Sequence, residues 1–326
     1  MRAYTSRTAA MAAAVVVSIA AAAGPAGAQL DRTAVGSRFT LDIPAANGTV
    51  TLKTIEGGYL FNQVVPDGGA GKRVAGTRIA PFVLTTYPNM AMALLKAAME
   101  GTPLDGRLIV GDFNYKAQNV TEFRQAIATR LAFTPLDGAS KDQCSVEVTL
   151  APTAIASLPG EGGDMSTKLA VKQKTCMRSN FRVELGNLPT KRIVGMDSIV
   201  LRRPGAEVAA GSARAMTKSG GSAGAWEADN VKLSVSMADL EAYLRWNDEF
   251  VVKGMNGVEK ELTLDVVYLS ADLKEEMFRL HGSGVGLVAL RRSLTANSET
   301  SARFEIELYV ERWEIVPGTT TVGSVP

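Results

Sequence analysis

Histidine is nearly absent from this sequence, since the 326 residues include His281 and no other. Zinc sites built from Cys and His, two-histidine metal centres and most Ser-His catalytic arrangements therefore lack the residues that they need. His281 precedes the run Gly282–Gly286, which has no phosphate-loop lysine and no strand-to-helix setting, so we predict a surface loop there. Adjacent acids such as Asp248 and Glu249 are typical of a solvated face. The sequence predicts no enzyme, no cofactor and no metal site.

Cysteine is almost as rare, with only Cys144 and Cys176 in the chain. Neither residue has the spacing of a redox or metal motif. In an oxidising compartment the two could form a disulfide, and the alternative is two separately buried thiols. The sequence leaves both open, because it does not give the distance between the two positions.

Net charge is also small. Lys and Arg number 35 against 33 Asp and Glu, and the excess comes from Arg2 and Arg7 near the N-terminus. A chain that is otherwise neutral gives no support for a nucleic-acid partner.

The N-terminus has the pattern of a signal peptide. Arg2 and Arg7 precede an apolar, Ala-rich run over residues 9–23, and a small-x-small cleavage site ends at Ala28. A membrane anchor is the alternative, but the run is shorter than the roughly 20 residues that a span needs. We therefore predict cleavage after Ala28, no membrane span in the product, and a periplasmic or extracellular location.

What the sequence does contain is strict alternation of apolar and polar residues, which predicts strands that are buried on one face. In the second half these segments are Phe181–Leu185, Val231–Val235, Leu262–Tyr268 and Phe304–Val310. Residues 237–252 predict a helix with Ser236 as N-cap. The Asn256-Gly257 pair after the helix predicts a hairpin turn.

The first half repeats this plan in the same order. A helix from Pro88 to Gly101 again lies among predicted strands, and Val146–Leu150 echoes Phe304–Leu308, as Glu122–Gln125 echoes Met277–Leu280. Any two β-rich halves share alternation, but the preserved position of one helix favours an internal duplication.

The segments of the second half, taken together, resemble the tail tube proteins of contractile-tailed phages. The residues that carry the resemblance are Asn180–Leu185, Asp229–Leu233 leading into the helix with Trp246, and Leu294–Glu299 leading into Phe304–Val310. It covers about Asn180 to Ile315. Members of that family fold as a small β-barrel with a flanking helix and join their sheets into hexameric rings that stack into a tube. The secreted type VI tube protein has a related fold. Phage tube subunits lack a signal peptide and usually have one such domain.

The resemblance and the duplication together predict a mainly β (α+β) fold with two tandem tail-tube-like β-barrel domains, each with one flanking helix. The predicted divisions are a signal peptide at 1–28, a first β domain at 29–152, a linker at 153–175, a second β domain at 176–316 and a C-terminal tail at 317–326. The linker is placed where Leu158–Gly163 breaks regular structure.

The predicted function is that of a non-enzymatic, secreted structural protein that self-assembles through exposed strand edges, three chains giving a six-domain ring. The predicted edges are Phe181, Val183, Leu185, Phe304, Ile306 and Leu308. The alternative is a monomeric periplasmic binding module, which would need a deep apolar pocket with a few convergent polar groups.

Overall fold

A computed structural model of the chain describes residues 38–44, 48–69, 71–165, 175–204, 225–293 and 302–318. The predicted signal peptide, residues 205–224, Leu294–Glu299 and most of the predicted C-terminal tail lie outside the described residues.

The described elements are mostly strands, with one helix in each half. In chain order they are β1 (Arg38–Ile43), β2 (Gly48–Glu56), β3 (Leu60–Pro66), β4 (Lys72–Ile79), β5 (Phe82–Thr86), α1 (Met92–Glu100), β6 (Leu104–Gly111), β7 (Ala117–Phe133), β8 (Leu136–Asp137), β9 (Val146–Ala151), β10 (Ala154–Pro159), β11 (Phe181–Leu185), β12 (Ile193–Met196), β13 (Ile199–Arg202), β14 (Glu227–Ala228), β15 (Val231–Ser236), α2 (Leu240–Asn247), β16 (Leu262–Leu269), β17 (Glu276–Ser293) and β18 (Arg303–Pro317).

The first half closes into a six-stranded antiparallel barrel. The order around it is β7-β6-β1-β2-β5-β9, and β9 pairs back onto β7. β10 extends the pairing along β7. Alternate side chains fill the interior, so Leu41 and Ile43 of β1 are fully buried. Leu94 and Leu95 of α1 are buried in the same core.

The second half is an open copy of this barrel. Its sheet has the order β11-β16-β17-β18-β15-β12-β8. β11 and β12 correspond to β1 and β2 but do not pair, and the short β8 from the first half pairs with β12 in place of β11. α2 covers the open copy, and the buried Tyr243 donates from its hydroxyl to the carbonyl of Pro189 at 2.8 Å.

The strand register shows how closely the two halves match. Four register shifts interrupt the ladders of the first barrel, and each has a counterpart in the second half. The pairs of shifts are Leu52/Thr54 with Ile193/Gly195, Leu104/Gly106 with Leu262/Leu264, Val110/Gly111 with Tyr268/Leu269, and Ala128/Arg130 with Leu287/Ala289. β-bulges bend a strand at one fixed position, so their coincidence is not explained by alternation alone. The predicted mainly β fold with two tandem barrel-like units is confirmed.

Left-handed backbone conformations recur at the same positions. Tyr115 and Leu273, both with φ 60°, occupy the turns that lead into β7 and β17. Gln125, with φ 49°, corresponds to Gly284, with φ 64°. The same register equates Phe123 with Gly282, so the predicted echo of Phe123 with Phe278 is wrong.

Several predicted boundaries differ from the structure. Gly282–Gly286 form no surface loop, because β17 runs through them without a break. Asn256-Gly257 makes no hairpin and leads from the helical segment through a short 3-10 turn into β16. The predicted linker contains β10 near its start, and β10 pairs with β7. The C-terminal part of β18 pairs with β17 in the same way. Pro152 separates β9 from β10, since proline has no N–H for the ladder.

Replacing Gln125 by glycine is expected to stabilise the protein by about 0.5 to 1 kcal/mol, because glycine adopts the left-handed region without the steric cost of a side chain. The backbone N–H of residue 125 would keep its 2.7 Å hydrogen bond to Asp105, which holds the pKa of that carboxyl below its usual value. Urea unfolding followed by circular dichroism measures the change.

Thr121→Gly, in the same strand, provides the matched control and is expected to lose about as much stability as Gln125→Gly gains. A loss of stability in Gln125→Gly would show that residue 125 is not held in the left-handed conformation.

Candidate assembly interface

The strands predicted as free edges differ in their position in the sheet. β11 carries Phe181, Val183 and Leu185. It ends the seven-stranded sheet, and among the described residues it pairs with β16 alone. β18 carries Phe304, Ile306 and Leu308. It lies between β17 and β15, so it is no sheet edge, contrary to the prediction. Alternation shows which face of a strand is buried, but it does not show whether the backbone has two neighbours.

The two halves of the chain are joined by strand addition. β13 of the second half pairs antiparallel with the last residues of β7, which places Leu201 opposite Leu131. Both leucines are buried. In return, β8 of the first half pairs with β12 of the second. Each half thus supplies a strand to the other half's sheet, and backbone hydrogen bonds cross the predicted domain boundary.

A buried arginine contacts the first half at this joint. Arg203 follows β13 and donates from Nη2 to the carbonyl of Ala98 at the end of α1, at 3.1 Å. Its guanidinium lies 4.5 Å from the ring centroid of Trp226, whose Nε1 donates to the carbonyl of Met99. Burial lowers the pKa of Arg203 below its usual value. Gly101 at the end of α1 leaves room for the guanidinium, because a Cβ there would lie 2.6 Å from Nη1.

The hairpin β3–β4 is the most exposed apolar feature of the described chain. It forms a separate two-stranded sheet, and each of its strands has one edge unpaired among the described residues. Tyr59 and Leu60 are 60% and 61% exposed, and Phe61, Val64 and Val74 are exposed as well. This exposure was not predicted from the sequence. The sequence does contain a signal for this exposure, because three large apolar residues follow Gly57-Gly58. A strand with one buried and one polar face would instead alternate apolar and polar residues.

A surface cleft of about 420 Å³ lies beside α2, at the opening of the second barrel copy. Its lining mixes apolar side chains such as Trp246 and Phe250 with the charged side chains of Arg245, Glu249 and Glu261. It is an open cleft and differs from the deep apolar pocket that a small-molecule binding module would need.

No group of three or more His, Cys, Asp or Glu side chains in the described ranges is arranged to hold a metal ion. None of the helices in the same ranges is both long and apolar enough to cross a membrane.

The two cysteines meet beside the joint. The structure bonds Cys144 to Cys176, with their Cα atoms 5.3 Å apart, and the N–H of Cys144 donates to the carbonyl of Cys176. Both residues are buried. The bond would link the segment before β9 to the segment before β11, next to the gap in the second barrel copy.

The chain matches no protein-family model and no curated protein. Among solved structures it is similar to a chain of the PVC sheath–tube complex of an extracellular contractile injection system in its extended state, at 13% identity and a TM-score of 0.33, over 40% of this chain and 94% of that one. It is also similar to Hcp1 from Flavobacterium johnsoniae, at 12% identity and a TM-score of 0.30, over 39% of this chain and 98% of that one. Hcp1 from Salmonella typhimurium gives 12% identity and a TM-score of 0.30, over 40% and 99%.

Removing the Arg203 side chain is expected to weaken the joint. Arg203→Ala removes the guanidinium that donates to the Ala98 carbonyl and leaves Trp226 without its cation, so the free energy of unfolding should fall by about 2 to 4 kcal/mol. Arg202→Ala is the matched control, since Arg202 is half exposed and its ion pair with Asp229 is worth at most about 1 kcal/mol. Urea unfolding measures both, and equal losses would contradict a structural role specific to Arg203.

The cysteine pair is expected to be oxidised in protein prepared from an oxidising compartment. Cys144→Ala/Cys176→Ala should then be about 3 to 4 kcal/mol less stable than the oxidised protein, because a cross-link over 32 positions restricts the unfolded chain. Wild type in reductant should match the double variant. Two free thiols in unfolded protein that was never reduced would contradict the bond.

Proposed function

We propose that this chain is a non-enzymatic structural protein that self-assembles into rings or a tube through the edges of its sheets. The observation that carries the proposal is the joint between the two halves. There, two copies of one strand plan already bind each other by adding β13 to β7 and β8 to β12. Main-chain pairing of this kind is a common way to extend a sheet into a neighbouring molecule.

The unpaired strands of the molecule support the same proposal. The free edge of β11 and the apolar hairpin β3–β4 have no partner among the described residues. Exposed edges and clustered apolar side chains cause uncontrolled association unless a specific partner covers them. A second copy of the same chain is such a partner.

Three chains would bring six barrel-like units into one ring, which is the number that the tail tube resemblance implies. The residues between β3 and β4 would then project from the ring as loops that contact the next one. The signal-peptide pattern of residues 1–28 favours a ring that forms in the periplasm or outside the cell.

Light scattering of the mature protein, residues 29–326, across a range of concentrations tests the proposal. We expect trimers or larger closed assemblies whose fraction rises with concentration, because a heterologous contact adds subunits until the ring closes. Negative-stain images of the same samples should show rings. A strict monomer at every concentration would falsify the proposed function and favour a binding module.

A further inference from the structure

The two halves each contain the same hairpin, but only one of the two hairpins is covered. Leu60 pairs with Ile79 in β3–β4, and Leu201 pairs with Ala228 in β13–β14. Leu60 follows the bulge at Thr54 by the same number of residues as Leu201 follows the matching bulge at Gly195. The base of each hairpin is closed by the same backbone bond, Ala80 N–H to Tyr59 in one and Asp229 N–H to Val200 in the other.

Equivalent side chains on these two hairpins differ sharply in exposure. Leu201 is 1% exposed and Val200 8%, because β13 pairs with β7. Their counterparts Leu60 and Tyr59 are 61% and 60% exposed. The first hairpin therefore carries the apolar residues of a strand-addition contact that is made only by the second.

The strand that would receive the first hairpin is also present and uncovered. β6 ends before the last residues of β7, and β13 pairs with these residues. The matching residues of β17 follow Val285, the last residue of β17 that pairs with β16. There β17 pairs only with β18 among the described residues. Val288 is 41% exposed, whereas its counterpart Thr129, beside the covered edge of β7, is 3% exposed.

We propose that β3 of one copy pairs antiparallel with the free edge of β17 in a neighbouring copy, in the register of the internal joint. In the internal joint, Leu201 lies opposite Leu131 and Arg202 lies opposite Arg130. The equivalent pairs between two copies are Leu60 opposite Leu290 and Phe61 opposite Ala289. This inference rests on the proposed function, because it specifies which edges join the copies. It also goes beyond that function, because it fixes the partners residue by residue.

The contact is heterologous, since each copy offers one hairpin and one receiving edge. Assembly through it runs head to tail and ends only when a ring closes. In such a ring every barrel unit contacts its neighbours in the same way, with contacts inside a chain alternating with contacts between chains.

Cysteine cross-linking tests the register in the full mature chain. Leu60→Cys and Leu290→Cys are prepared as separate proteins, mixed under mild oxidation and separated without reductant, so that any covalent dimer joins two chains. Directly opposed residues on antiparallel strands have Cα atoms about 4.5 to 5.5 Å apart, which is within the range of a disulfide. We expect a covalent dimer whose tryptic peptides link residues 60 and 290.

Val74→Cys mixed with Leu290→Cys is the matched control, since Val74 on the outer strand of the hairpin is 57% exposed. We expect at least tenfold less dimer from the control pair. Leu60→Glu should weaken association at least tenfold, whereas Val74→Glu should leave it within about twofold. Circular dichroism of each variant verifies that it is folded.

The possible results separate this inference from the proposed function. Assemblies that form while the 60–290 pair links no better than the 74–290 pair overturn the register and leave self-assembly intact. Equal sensitivity to Leu60→Glu and Val74→Glu overturns it as well. The absence of assembly in wild-type protein at every concentration overturns both.

Discussion

Backbone hydrogen bonding at strand edges is the constraint on which the rest of this structure depends. Every strand needs two neighbours to pair all its N–H and C=O groups, and a closed barrel provides them without ends. The first barrel closes on itself where β9 pairs with β7, but β6 ends before the last residues of β7, and β13 of the second half covers them. The second copy does not close, and β8 of the first half pairs with its β12. The joint between the halves thus covers one strand edge that each copy leaves unpaired.

The sequence suggests why only one copy closes. In the first barrel, Gly48 to Leu52 pair with β1. The corresponding stretch of the second copy begins at Pro189, which has no N–H to donate to a neighbouring strand. The carbonyl of Pro189 accepts a hydrogen bond from the hydroxyl of Tyr243. The segments that carry Cys144 and Cys176 lie beside this gap. At the start of this stretch, Pro189 thus lacks one ladder donor and Tyr243 occupies one ladder acceptor.

Much of the fold could be predicted from alternation, and the reasons for the failures are physical. The two-residue period located most strands, and Pro88 with Gly101 located α1, because these signals are local. The edge assigned to Phe304, Ile306 and Leu308 failed because strand neighbours are set by tertiary structure. The bulge at Ala128 could not be predicted either, because no glycine lies there, whereas glycines mark the register shifts at Gly106 and Gly195. Arg203 appears in the sequence as one basic residue beside another, and only the fold shows that it caps a helix of the other half.

The duplication also limits how the chain can grow. Two identical barrels would offer identical edges and could join in several arrangements, whereas here one copy is closed and one open. In the part of the chain that the structure describes, the exposed hairpin β3–β4 occurs once, and so does the uncovered end of β17. If the contact between chains repeats the contact within the chain, one angle is applied at every step around the ring. The number of barrel units in the ring is then fixed by the angle that the fold builds between β13 and β7, and a change in that joint would alter the size of the assembly without touching the surface between chains.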